Sequence, residues 1–278
     1  HALTPDPLWS RGLGDVYKRQ CKPWRIAIPV GKDSLSMKTI WQNNKKTNLS
    51  PQSLVISAFA KIKNVSNSIT PQLINKDELV LVYLDLSKNK KRLGGSILAE
   101  VTQQTNLETP NLENLKEFPR IYNFLATNIN KKRIYSFHDI SDGGLVVSAV
   151  EMMLAGGCGL NLDFSKISFF NDSSNLFSEE LGVLFQINNK DFSGFKKDFT
   201  RLGLKNSFFR IGSTNDSDDL CLKTNNQTLR INHKELMNSW SCVSYNIKLM
   251  RDNKETTKQE HKLSLIHISE PTRPERIG

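Results

Sequence analysis

The chain has 278 residues, with 38 lysine and arginine side chains against 28 aspartate and glutamate and a formal net charge of +10. That length suits one large domain or two small ones. The positive balance favours an anionic partner but does not choose among nucleic acid, acidic protein and phosphorylated ligand. The basic residues sit in Asn-rich and Ser-rich loops such as 88–92 and 131–133, without interleaved aromatics, which argues against a base-stacking surface and so against a nucleic-acid partner. Cys21, Cys158, Cys221 and Cys242 form no C-x-x-C pair, so neither a zinc site nor a thiol-redox motif is expected and the thiols read as reduced. No apolar run approaches the ~18–20 residues that span a bilayer and no secretory signal precedes the body. No membrane partner is therefore expected, and the cytoplasm is the expected compartment.

Residues 1–20 and 263–278 lack a sustained apolar period and differ in composition from the rest. They resemble translated sequencing-adapter sequence and are set aside as non-native. They carry five of the basic and four of the acidic residues, so the charge excess belongs to the body between them.

In chain order, residues 24–30 (WRIAIPV) read as a strand ending in the turn at Gly31, 53–62 (SLVISAFAKI) as a second, and 65–70 as a third, stopped by Pro71. Residues 79–86 (LVLVYLDL) form an uninterrupted apolar run of the kind buried on both faces of a sheet. Ser96 is a candidate N-cap for a short helix containing Ile97, Leu98 and Val101. A longer helix is predicted over 111–130, kinked or restarted at Pro119. Residues 134–138 predict a strand, 145–155 a helix stopped by the glycines at 156, 157 and 159, and LNLDF, GVLFQI, SFFRI and QTLRI further strands, with an amphipathic helix over 191–202. Residues 233–251 predict a last helix, and the charged stretch 251–262 reads as a linker. Strands and helices mix without strict βαβ alternation, so the fold class is α+β.

Two segments could carry chemistry. In residues 137–144 (FHDISDGG) a strand empties into a short loop with two carboxylates, a hydroxyl and two glycines before a helix begins. Carboxylates are hard ligands that suit Mg²⁺ together with substrate phosphates. Glycines admit close backbone approach, and amides opening a helix favour an anion. The bland reading is that Asp139 and Ser141 only cap the helix, and an aspartate tied up in such a cap would remove the metal site. His138 is given no catalytic role. In residues 29–41 (PVGKDSLSMKTIW) a glycine turn carries Lys32, Asp33, Ser34 and Ser36, but the P-loop spacing is absent.

Six stretches, GKDSLSMKT, SLVISAFA with TPQL, LDL with RLGGS, HDISDGG, AGGCGL and LFSEELGVLFQI, occur in the order found in phosphoribosylformylglycinamidine synthases of the long single-chain type. The chain resembles that family over residues 21–261. The resemblance implies an aminoimidazole-ribonucleotide-synthetase-like C-terminal domain over 78–232, preceded over 21–77 by the end of an N-terminal-type α/β half. Residues 233–262 would then lead toward a glutaminase domain, which is missing here together with the other synthetase half. The implied cofactors are ATP or ADP with Mg²⁺, the implied substrate is a phosphoribosyl compound, and the implied reaction is ATP-driven amidine formation with ammonia from glutamine. Asp139 would be a Mg²⁺ ligand and Ser141 a nucleotide contact; Gly31 and Ser34 would touch substrate or nucleotide. The family more often has Arg where this chain has Ile140. A different enzyme of the same superfamily and a non-catalytic nucleotide-binding module are the alternatives.

Overall fold

Strand β3, Leu79–Asp85, sets the architecture, because all seven of its residues are buried. Its side chains alternate between two cores. Val80, Val82 and Leu84 join one apolar cluster, and Leu81 and Tyr83 the other, so both faces of the sheet must be covered. In this computed structural model the residues described are 64–113, 116–170 and 174–267, with short pieces at 21, 24, 26–27, 38–42, 46–49 and 56–62. They divide into two units, residues 1–65 and 66–278.

In the first unit β1, Lys38–Trp41, pairs antiparallel with β2, Lys46–Leu49. The strand predicted over 53–62 is not formed by residues 56–62, where Phe59 is 97 % exposed. A strand needs a ladder partner, and among the described residues of this unit the only ladder is β1–β2. Most of the strand predicted over 24–30 lies outside the described residues. The strand expected over 65–70 is a 3-10 turn, Val65–Asn67, followed by irregular chain.

The second unit holds a seven-stranded sheet in the order β4-β6-β3-β7-β5-β8-β9. Its strands are β4, Ile134–Asp139; β5, Gly159–Asp163; β6, Gly182–Asn188; β7, Phe208–Asn215; β8, Leu220–Lys223; and β9, Thr228–Ile231. Every pairing is antiparallel except β5 with β8. The short helix α1, Ile97–Val101, starts at Ser96, whose hydroxyl accepts from the amide of Ala99, as predicted.

One face of the sheet is covered by α2, Phe118–Asn130, and α5, Phe192–Arg201. Ile121 and Leu125 of α2 and Phe195 and Phe199 of α5 pack on Val82, Phe185 and Phe208. Aromatic rings fill this core, with Phe199 and Phe208 centroids 4.9 Å apart. The other face is covered by α3, Gly144–Gly156, and the single turn α4, Ser174–Phe177. The helix predicted over 111–130 begins only at Phe118, because Pro119 lies in its first turn, where a missing N–H costs nothing. Pro119 therefore starts the helix and does not kink it.

Two further elements differ from the expectation. The tetrapeptide LCLK, to which the sequence pattern assigns no element, is strand β8. The charged stretch over 251–262 is helical: α6, His233–Arg251, breaks at Asp252 and α7, Lys254–His267, folds back on it, with Tyr245 stacked on His261 at 4.0 Å. No helix among the described residues is long and apolar enough to cross a membrane.

Arg92 and Glu180 form a buried two-pronged ion pair. The guanidinium Nε lies 2.6 Å from Oε1 and Nη2 lies 2.8 Å from Oε2, while the Arg92 amide donates to Oε1 at 3.0 Å. Glu113 accepts from Nη1 at 2.8 Å and the carbonyl of Asn111 from Nη2 at 3.1 Å, and Glu180, with Glu113, holds the Arg92 pKa above its ordinary value against the opposing effect of burial. Glu180→Ala should cost about 3–5 kcal/mol in urea unfolding because it strands a buried charge, whereas an Arg92→Met, Glu180→Leu double variant should recover most of the loss. Equal stability of the single and double variants would contradict this.

All four cysteines are free, Cys158 buried and Cys242 exposed. Burial, and then the charge of Asp218, push the Cys158 thiol up to about 11. Iodoacetamide at neutral pH should therefore label Cys242 in the native protein and Cys158 only after unfolding; labelling of both at the same rate would be the contrary result.

Candidate functional site

The sheet register brings four strand ends to one edge. Asp139 pairs with Val183, Val183 with Leu84, and Leu84 with Phe208. The FHDISDGG turn leaves this edge at Asp139 and enters α3 at Gly144. Gly143 and Gly144 have φ of +86° and +79°, values that residues with a Cβ rarely adopt. A Cβ on Gly144 would also stand 2.6 Å from the carbonyl carbon of Phe177. Gly144→Ala should lower stability by about 1–3 kcal/mol, read as a fall in the urea midpoint, and an unchanged midpoint would show the turn to be less constrained than its geometry implies.

Asp139 is not a helix cap. Its side chain is 76 % exposed, and the contact found for it is with its neighbour, the Nδ1 of His138, 3.3 Å from Oδ1. The N-cap of α3 is Gly143 and no side chain caps the helix. The bland reading of Asp139 and Ser141 as capping residues therefore fails. Asp142, also exposed, follows in the same turn.

Ser141 is turned inward. Its amide donates to Ser148 Oγ at 3.0 Å, and its hydroxyl lies 3.2 Å from Ser148 Oγ and donates to Glu151 Oε2, also at 3.2 Å. Glu151 collects two further neighbours: His138 Nε2 at 3.5 Å, and the Trp240 indole N–H, which donates at 3.3 Å. It thus ties the turn to α3 and to α6. Sequence reasoning missed Glu151, although it is the one charged side chain in the apolar run LVVSAVEMMLA, and a lone acid there needs partners.

Glu179, within LFSEELG, is a second residue that sequence reasoning missed. Its Oε1 accepts from the amides of Gly143 and Ile97, each at 2.8 Å, so one carboxylate joins the site turn to the start of α1. Gly31 and Ser34, the other candidate residues, lie outside the described residues.

A divalent cation fits this turn in a restricted sense. No group of three or more His, Cys, Asp or Glu side chains that could hold a metal occurs among the described residues. Mg²⁺ does not require one, since it keeps several waters and binds through one or two carboxylates plus substrate phosphates. The open carboxylate of Asp139 meets that requirement.

The family model for the AIR synthase related protein, C-terminal domain, matches residues 76–223, and that for the FGAR-AT PurM_N-like domain matches residues 12–61. Among solved structures, Thermotoga maritima PurL complexed with FGAR is similar, with 12 % identity, a TM-score of 0.50 and coverage of 62 % of this chain and 30 % of that one. PurLQS from the same organism matches at 12 % identity and a TM-score of 0.47, covering 62 % of this chain and 28 % of that one. T. maritima PurL complexed with ATP matches at 9 % identity and a TM-score of 0.45, covering 62 % and 27 %. The first likeness is one of fold. This chain spans less than a third of the length of these structures.

Proposed function

The chain belongs to the AIR synthase related protein C-terminal domain family, and from that premise we propose that its 139–144 turn is a magnesium-nucleotide site within an ATP-using enzyme. The enzyme proposed is phosphoribosylformylglycinamidine synthase, which converts formylglycinamide ribonucleotide to formylglycinamidine ribonucleotide with ATP and ammonia drawn from glutamine. The observation that carries the site is the open carboxylate of Asp139, 76 % exposed at a strand end and free of any helix cap.

The chain's own residues divide the work. Asp139 would hold Mg²⁺, whose charge, when bound, neutralises that of the phosphates. Glu179 fixes the turn through the Gly143 amide. Donation by Ser141 to a phosphate oxygen would require its hydroxyl to redirect its proton from Glu151 to the ligand, because that hydroxyl has a single donor. Gly31 and Ser34 are proposed as further contacts to substrate or nucleotide. The other synthetase half and the glutaminase would be supplied elsewhere in the parent enzyme, so this chain alone should bind nucleotide without turnover.

Asp139→Asn should weaken Mg²⁺-dependent ADP binding at least about tenfold, the loss of one charge-assisted contact, while leaving the unfolding midpoint unchanged because the side chain is exposed. Calorimetric titration with and without Mg²⁺ tests this. Equal affinities in the two proteins would remove Asp139 from the site.

A further inference from the structure

A concavity opens among elements that also border the Asp139 edge, and its charge is opposite to that of the Asp139 turn. It encloses about 450 Å³ and is lined by Lys91, Lys196 and Lys205 around Phe169, Phe208 and Phe209, with Asn and Ser side chains completing the wall. The three lysines come from three separate segments: the loop after β3, helix α5, and the loop before β7. No Asp or Glu lines it, and none of the three ammonium groups forms a salt bridge among the described residues. Lys91 stands 5.9 Å over the ring of Phe169, and that ring stacks on Phe209 with centroids 5.5 Å apart.

Like charges gathered around one concavity repel each other, and no carboxylate in the wall offsets them. Aromatic side chains in the floor are poorly polarisable by comparison with water, so an electrostatic contact made against them is less screened than one in open solvent. The volume lies within the range that holds a small organic ligand. The register from Asp139 through Val183 and Leu84 to Phe208 spans three strand spacings, about 14 Å, so this groove is distinct from the Asp139 turn and lacks a carboxylate for a cation.

We propose that this groove is a metal-independent site for a small polyphosphorylated anion, held by Lys91, Lys196 and Lys205. It does not rest on the magnesium-nucleotide reading, and the two separate experimentally. The full chain would be titrated calorimetrically with inorganic pyrophosphate and, separately, with ADP, in low-salt buffer freed of divalent cations by a chelating resin. The proteins compared would be the parent, Asp139→Asn, and Lys91→Gln with Lys205→Gln. The lysines are exposed and Gln keeps most of the aliphatic stem while relieving like-charge repulsion, so the unfolding midpoint should not fall. The expected result is binding that the lysine pair of substitutions weakens at least about tenfold and Asp139→Asn leaves unchanged. Equal affinity for the two ligands locates recognition in the phosphates, and tighter ADP binding adds the aromatic floor. Failure of both ligands to bind at millimolar concentration, or binding indifferent to the lysines, overturns the proposal.

Discussion

Burial of β3 on both faces is the constraint from which the rest of the second unit follows. A strand with no polar face cannot sit at a solvent boundary, so helices must cover both sides of the sheet and neighbouring strands must satisfy both edges of β3. The apolar cores on the two faces then leave polar chemistry few places to go. It collects where strands end. Asp85, the last residue of β3, already shows the cost: it is fully buried, accepts hydrogen bonds from Ser87 Oγ and from the amides of Ser87 and Asn89, and its carboxyl is held above the ordinary range by burial. Asp139, one strand end along from Val183, escapes that burial and keeps an open carboxylate.

Much of this was legible in the residues. The run LVLVYLDL announces its two-sided burial, and the Ser96 cap and the glycine stop after α3 carry their own local chemistry. What was not legible depended on partners distant in sequence. The tetrapeptide LCLK is too short to advertise itself as a strand between the acidic loop before it and the Thr-Asn-Asn turn after it; it becomes one because β5 offers a parallel ladder. Residues 56–62 show the reverse, an apolar β-branched run that forms no strand among the described residues. The charges over 251–262 suggested a solvated linker, whereas the stacking of His261 on Tyr245 and the approach of Lys248 to Glu260 at 3.8 Å accompany a helical hairpin.

At the site, the residue types of the turn pointed to Asp139 and Ser141, but their different situations could only be seen in three dimensions. The aspartate faces outward and the serine inward. Glu151, Glu179 and Glu180 organise the surroundings, and each does so through partners far away in the chain: Trp240, Ile97 and Arg92. Sequence patterns record periodicity along one element; they do not record which amide a carboxylate will meet across a sheet edge.

The pairing of β3 also bears on how the chain is made. Leu79 meets Asn188 and Asp85 meets Gly182, so the first ladder partner of the most apolar strand lies roughly a hundred residues downstream. At ribosomal speeds of about 5–20 residues per second, that strand would wait on the order of 5–20 s for its neighbour. During that interval an uncovered β-forming segment is open to pairing with other nascent chains, and chaperone engagement there is the natural safeguard.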